Sequence, residues 1–341
     1  MIGEQPRPSG NGTRDIDRKI LELFRDREGG VVSGEALSRL LNVSRTAVWK
    51  HIKTLKTLGY DIEAVPSQGY RLVSSPDILI PADISAGLAT AIIGSSIICF
   101  RETESTNIIA SRLAEEGASE GTVVIADSQT RGKGRLGRQW ESPPGVNLYC
   151  SVILRPPILP FHAPQLTFLS AVAVAEAIEK TTGLSPAIKW PNDVLVNGCK
   201  VAGMLNEMSA ETERVEHLIL GIGVNINMMR DQFPADLRYP ATSLAIEAGR
   251  EIERIPFIRA LLESLDSLYR SYCAEGYGPL REAWLALSAV MGRVVSVSGQ
   301  GEGLVGTVEG IDENGALLLR CADGRTERVL AGDVTMVGNG L

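Results

Sequence analysis

Between residues 130 and 138 the chain reads Thr130-Arg131-Gly132-Lys133-Gly134-Arg135-Leu136-Gly137-Arg138, four cations and three glycines in nine residues, with Trp140 two positions on. Glycine lets backbone N–H groups come close to a ligand and lets a loop move, while Lys and Arg neutralise oxyanions. No G-x-x-x-x-G-K-[ST] run is present, so this is not a phosphate loop of that type. A flexible basic surface loop or a nucleic-acid contact is the plain alternative. The segment lies between two apolar strand-like runs rather than in a tail, which favours a loop that closes over phosphate.

Three further clusters accompany it. Glu104-Ser105-Thr106-Asn107 gathers small hydrogen-bonding groups at a strand-to-helix junction, and by itself it reads as a helix N-cap. Lys189-Trp190-Pro191-Asn192-Asp193 is followed by Asn197-Gly198, a strong short-range hairpin signal, so Lys200 falls near the start of the return strand with apolar residues around it. A strand lysine is ordinarily a solvated edge residue. Close to a polar cluster and a basic loop, Lys200 is a candidate for stabilising developing negative charge. Gly221-Ile222-Gly223-Val224-Asn225 starts like a dinucleotide fingerprint, but the third glycine and the following helix are missing and that reading is rejected.

The elements that must position these groups alternate. Strand patterns fall near 97–100, 122–126, 148–154, 187–190 and 218–224, and helical patterns near 107–116, 163–181 and 255–274. After the break at Ser74-Ser75-Pro76 and Pro81, this describes an α/β domain of about 200 residues. From 293 to 337, β-branched alternations broken by Glu313-Asn314-Gly315 and Asp323-Gly324 read as a small β-barrel or sheet.

The N-terminal part has a different character. Residues 16–24 form a first helical pattern, Ser33 is placed to cap a second, and Asn42-Val43 makes a turn. Ser44 then caps a third helix in which Val48, Ile52 and Leu55, with Ala47 and Leu58, face inward, while Arg45, Thr46, Trp49, Lys50 and Lys53 stay outside until Gly59 ends it. Residues 60–73 alternate and turn like a two-stranded wing. Two helices joined by a tight turn, the second basic and polar on its exposed face, can place a recognition helix in a major groove. Arg45, Thr46, Trp49 and Lys50 are the base or phosphate candidates; a merely solvated helix face is the competing reading.

Charge supports the first. Residues 39–72 carry six Lys/Arg against two acids, a local balance of +4 on a chain whose net charge is −7. A basic island on an acidic chain is the electrostatic footprint of phosphate binding. The 341 residues, 44% hydrophobic and 22% charged, exclude wholesale disorder, collagen and coiled coil and suggest two or three domains. The opening twelve residues lack a signal-peptide pattern and the most apolar later stretch, 86–100, is too short to span a bilayer, so no membrane partner is expected. Cys99, Cys150, Cys199, Cys273 and Cys321 are scattered singly, which fits a reducing cytoplasm.

Taken in order, Ser105-Thr106-Asn107, Gln129, the 132–138 loop with Trp140, Lys189-Trp190-Pro191-Asn192-Asp193 and Lys200-Val201-Ala202-Gly203 closely resemble the family of bifunctional biotin–protein ligases and biotin operon repressors, over nearly the whole chain. The resemblance implies a multidomain α+β architecture: a winged helix-turn-helix (14–74), a central mixed α/β domain of the biotin/lipoate ligase type (83–288) and a small SH3-like β-barrel (289–341). It implies condensation of biotin with ATP and Mg²⁺ into biotinyl-5′-adenylate, then transfer to a lysine of a biotin carboxyl carrier domain. By the same resemblance, Ser105, Thr106, Asn107 and Gln129 hold biotin, with Lys133, Gly134, Arg135 and Lys200 around it. Arg138, Trp140, Lys189, Asn192, Asp193 and Asn225 face the nucleotide, with Asp193 on the metal. Lys200 and Arg135 are the expected catalytic cations.

The resemblance further implies operator DNA as a partner and a homodimer that forms when the adenylate is bound. In two places the chain departs from the family pattern: the loop, commonly G-R-G-R-R-G-R, has Lys133 and Leu136 where arginines stand, and Asn206 replaces the usual aliphatic before Glu207. Lysine keeps the charge without arginine's planar fork, and Leu136 carries none. Three alternatives stay open: a regulator that senses a ligand without turnover, a ligase without specific DNA binding, and a lipoate–protein ligase.

Overall fold

The computed structural model describes residues 11–25, 27, 30–57, 59–74, 77–237, 239–298 and 303–337. The first ten residues, Leu58 and the Ser75-Pro76 part of the expected break lie outside them. Two compact units divide at 88/89, inside the stretch read from the sequence as central domain.

In the first unit, helices α1 (Asn11–Arg25), α2 (Gly34–Leu41) and α3 (Arg45–Thr57) precede an antiparallel wing, β1 (Asp61–Val65) and β2 (Gly69–Ser74), and a short α4 (Pro81–Ser85). The helix starts are set by their caps: Ser33 Oγ accepts from the Ala36 N–H at 3.0 Å and Ser44 Oγ from the Ala47 N–H at 3.1 Å. Between them Asn42 turns the chain in the left-handed region, φ 52°, and the Ser38 hydroxyl donates to Val43 O at 2.6 Å. Val48, Ile52 and Leu55 are buried with Ile20, Leu21, Phe24 and Leu37, as their spacing predicts. The wing is fastened to the helices because Val32 and Tyr70 exchange both backbone hydrogen bonds. Gly69 (φ +136°) is required there: a Cβ would lie 2.2 Å from Val32 O.

The second unit is built on a seven-stranded mixed sheet in the order β3-β4-β5-β9-β8-β7-β6. The strands are β3 (Ser96–Thr103), β4 (Thr122–Gln129), β5 (Leu148–Leu154), β6 (Pro186–Lys189), β7 (Asp193–Val196), β8 (Cys199–Ala210) and β9 (Val215–Val224). Only β3 and β4 are parallel, joined by α5 (Thr106–Glu115). Helices α6 (Gln165–Thr182), α7 (Leu244–Ala248), α8 (Arg254–Glu275) and α9 (Tyr277–Ala286) complete the layer structure. β5 is buried on both faces, which explains its continuous apolar run.

Among the described residues, one helix, Pro160–Thr182, is long and apolar enough to cross a membrane, and 72% of its apolar window is buried inside the protein. The long apolar element is thus this core helix and not 86–100, which divides between turns and β3.

A five-stranded antiparallel sheet follows, with β10 (Val294–Ser298), β11 (Leu304–Ile311), β12 (Leu317–Arg320), β13 (Thr326–Val329) and β14 (Asp333–Met336) in the order β13-β12-β11-β10-β14. It is the small SH3-like domain expected from the sequence. Its tip is fixed to the β6–β7 turn and to α6: Trp190 Nε1 donates to Gly315 O at 3.2 Å and Gln165 Nε2 to Glu313 O at 2.8 Å.

Candidate functional site

A cleft of 570 Å³ opens on one face of the seven-stranded sheet, within the range of about 300–1,000 Å³ typical of small-molecule sites. Successive side chains of a strand point to opposite faces. The odd positions Tyr149 and Ser151 of β5, Gly221 and Gly223 of β9, and Gly203, Leu205 and Glu207 of β8 therefore share a face, and all but Ser151 and Glu207 line the cleft directly. Asn206 points the other way, where its Nδ2 donates to Thr167 Oγ1 of α6 at 3.0 Å. Its departure from the family pattern does not touch the cleft.

One end of the cleft is a buried polar network at the start of α5. Ser105 occupies the N-cap position but makes no side-chain cap bond. The cap comes from another strand: Gln129 Oε1 accepts from the Thr106 N–H at 2.9 Å, and Gln129 Nε2 donates to Ser142 Oγ at 3.0 Å. Ser105 is thus the N-cap residue its type predicts, but the side-chain cap bond is made by the longer Gln129 from β4. Asn107 Nδ2 donates to Leu205 O at 3.1 Å and to Glu207 Oε2 at 2.7 Å. The Ser151 hydroxyl has two acceptors in reach, Asn107 Oδ1 at 2.7 Å and Thr106 Oγ1 at 2.8 Å. Ser105, Thr106, Asn107 and Ser151 are all less than 5% exposed.

The glycines beneath this network have a steric purpose. A Cβ on Gly221 would lie 2.2 Å from Asn107 Oδ1, and one on Gly223 2.7 Å from the Trp140 ring. The run that failed as a dinucleotide fingerprint is a smooth strand surface on which Asn107 and Trp140 rest. Its alternate glycines were the available signal.

The other end is charged. Lys200 Nζ lies 2.6 Å from Asp193 Oδ1 and 5.3 Å from the Trp140 ring centroid. Lys189 Nζ lies 3.9 Å from Asp193 Oδ2 and 3.9 Å from the Tyr239 ring centroid. The expectation of an apolar surround for Lys200 is thus corrected: a carboxylate and an indole face it, because the β7–β8 hairpin brings Asp193 across from Gly203. Arg135 Nη1 donates to Asn192 Oδ1 at 3.0 Å, and Asn192 Nδ2 donates to Met204 O at 2.7 Å. Burial pulls the Arg135 guanidinium below its usual pKa, while Asp333 and Asp193 act in the opposite sense. Asn225 lines the cleft, its Nδ2 donating to Thr242 O at 3.2 Å. Trp140 Nε1 is buried and has no hydrogen-bond partner among the described residues.

The 130–139 segment lies over the cleft as a folded loop. Gly134 N–H donates to Arg138 O at 2.7 Å and Lys133 bridges to Gln139. Leu136 sits at its tip in the left-handed region (φ 56°) with 72% of its surface exposed, at a cost of about 1–2 kcal/mol. Arg138, expected to face nucleotide, lines the cleft and pairs there with Asp333 of β14. Lys133 Nζ lies 3.6 Å from Glu207 Oε1. Ser142, Ser151, Glu207, Tyr239 and Asp333 were missed by sequence reasoning because each belongs to the site only through pairings distant in the chain.

On α3 of the first unit, Arg45, Thr46, Trp49 and Lys50 are all exposed, Trp49 by 52%. Arg45 pairs with Glu35 at 2.8 Å and Lys53 Nζ lies 5.5 Å from the Trp49 ring centroid. Both contacts are solvent-exposed and worth about 0–1 kcal/mol.

Against this geometry, the biotin/lipoate A/B protein ligase family model matches residues 99–225, a helix-turn-helix model 17–71 and the biotin protein ligase C-terminal domain model 290–337. The chain is 40% identical over 321 residues to the bifunctional ligase/repressor BirA of Bacillus subtilis, covering 94% of this chain and 98% of that one. Identity to the protein of the same name from Escherichia coli is 31% over 322 residues, 94% and 97% of the two chains. Among solved structures, the Aquifex aeolicus biotin protein ligase in complex with biotin and ATP is similar, with a TM-score of 0.61, 30% identity and coverage of 71% of this chain and 99% of that one.

Proposed function

Because the chain belongs to the family of bifunctional biotin–protein ligases and repressors, we propose that its cleft joins biotin to ATP and that its winged helix carries the product's signal to DNA. One observation carries the reading: a buried hydrogen-bonding network and a cluster of Lys200, Lys189 and Arg135 occupy opposite ends of one cleft. A neutral bicyclic urea with a carboxylate tail needs that polarity at its two ends.

In the first step the biotin carboxylate oxygen bonds to the α-phosphorus of ATP and pyrophosphate leaves. Two anions must meet, and cations fixed in place offset their repulsion. Lys200 is positioned for the carboxylate and α-phosphate, Arg135 for the phosphates, and Lys189 keeps the Asp193 side of the cleft positive. Among the described residues no three His, Cys, Asp or Glu side chains gather to hold a metal. Asp193, whose carboxylate already faces Lys200 and Lys189, is the residue that would hold Mg²⁺, and the ion would supply positive charge against the phosphates while keeping phosphate and water ligands. In the second step the carrier lysine's amine attacks the biotinyl carbonyl, an amide forms and AMP leaves. The loop shields the mixed anhydride from water meanwhile.

We assign DNA binding to residues 14–74 and adenylation and transfer to 83–288, with the small SH3-like domain, 289–341, adding Asp333, Val334 and Thr335 to the cleft lining. Dimerisation on adenylate binding, with two winged helices on a two-half-site operator, completes the proposal. Five unpaired cysteines support a reducing compartment.

The test of the ligase is ATP–pyrophosphate exchange with biotin, lipoate or no acid. Exchange with biotin alone is expected; exchange with neither acid leaves a non-catalytic sensor. For the DNA role, Lys50→Ala is expected to weaken duplex binding evenly across sequences and to reduce the slope of log affinity against log salt by about one. Anisotropy titrations across a salt series check it. Duplex affinity that ignores biotin plus ATP would show that the adenylate is not the corepressor.

A further inference from the structure

We propose that Glu207 is a positioning residue that couples occupancy of the biotin end of the cleft to closure of the basic loop. The inference rests on the ligase reading above. Its two carboxylate oxygens are divided between two tasks: Oε2 accepts from Asn107 Nδ2 at 2.7 Å, and Oε1 faces Lys133 Nζ at 3.6 Å. Asn107 belongs to the buried network that also includes Ser151 and Thr106. Lys133 belongs to the loop, whose far end Arg138 anchors to Asp333.

The physical consequence is directional. A ligand that fixes Asn107 fixes the Glu207 carboxylate, and a fixed carboxylate is a better counter-ion for Lys133 than a mobile one. The loop then closes most firmly over a filled pocket. Arg131 ties the start of the loop to Glu104 and Leu136 brings no charge to its tip, so the charged contact that faces the Asn107 network is that of Lys133, whose point charge needs a correctly placed partner. Both members of the pair are about half exposed, 44% and 40% by side chain, so the pair is screened by salt and its contribution is small but measurable.

The experiment uses the full-length chain. Biotinyl-5′-adenylate is formed from labelled biotin and MgATP, then chased with unlabelled biotin to give its release rate, while exchange kinetics give KM for biotin. Glu207→Gln keeps an acceptor for Asn107 and removes the charge, so release is expected to rise about two- to fivefold, the size an exposed ion pair supports, with KM nearly unchanged. Lys133→Gln is expected to speed release to the same extent, and the double variant to release no faster than either single. Added salt speeds release from the wild type and not from the variants. Glu207→Ala, which also strips Asn107 of its charged acceptor, raises KM for biotin about tenfold or more. Release at the wild-type rate in Glu207→Gln, multiplicative effects in the double variant, or an unchanged salt response overturns the proposal and leaves the ligase standing. A wild type that forms no adenylate overturns both.

Discussion

Lys200→Met lowers biotin-dependent ATP–pyrophosphate exchange by about 10²–10³-fold in kcat, the loss expected when one preorganised donor to developing negative charge is removed. KM for biotin changes much less, because the hydrogen bonds at the Asn107 end are untouched. The fold survives, since Asp193 keeps Lys189 at 3.9 Å. Lys200→Arg is not a conservative rescue: a Cβ on Gly203 would already come within 3.1 Å of Lys200 Nζ, and a planar guanidinium needs more room. Supplying chemically made biotinyl-5′-adenylate separates the steps. Transfer to the carrier that is retained by Lys200→Met places the lysine in adenylation; wild-type exchange rates in that variant remove it from the mechanism.

The second large effect is steric. Gly221→Ala puts a methyl 2.2 Å from Asn107 Oδ1 and 2.7 Å from Leu205 O, and Leu205 is backbone on the neighbouring strand that cannot retreat without breaking the ladder. Asn107 must move and lose its bonds to Leu205 O and Glu207, worth together about 2–4 kcal/mol. KM for biotin is expected to rise about 10²-fold with kcat largely kept at saturation, and overpacking costs about 1–3 kcal/mol of stability. Gly223→Ala is the control, because its methyl meets the Trp140 ring at 2.7 Å and is expected to raise KM for ATP instead. Equal effects of both variants on both constants would show that the two ends of the cleft are not independent.

Whatever depends on short separations along the chain was legible in the residues. Ser33 and Ser44 announced two helix starts, the spacing of Val48, Ile52 and Leu55 gave the buried face of α3, and Asn197-Gly198 gave the β7–β8 turn, where both residues have positive φ. Residues 148–154 form the strand their pattern predicts. The two clusters read as binding elements, Ser105-Thr106-Asn107 and Lys189 to Asp193, lie in one cleft with Lys200 and the basic loop. Their chemistry is carried by residue type at fixed spacing, which a sequence displays directly.

The tertiary structure alone decided which charges and hydrogen bonds meet. Gln129 caps a helix starting 23 residues earlier, Asn107 reaches Glu207 100 residues away, and Arg138 crosses 195 residues to Asp333. The resemblance implied Asp193 as the metal contact, and the tertiary structure adds that Lys200 Nζ lies 2.6 Å from its Oδ1. No periodicity encodes these pairings, because they follow from the strand order β5-β9-β8-β7 and from which parity of each strand faces the cleft. Side-chain parity is fixed by register, and register is fixed by burial of the opposite face against α6. The sequence by itself determined what chemistry the groups can do; the sheet decided which of them do it together.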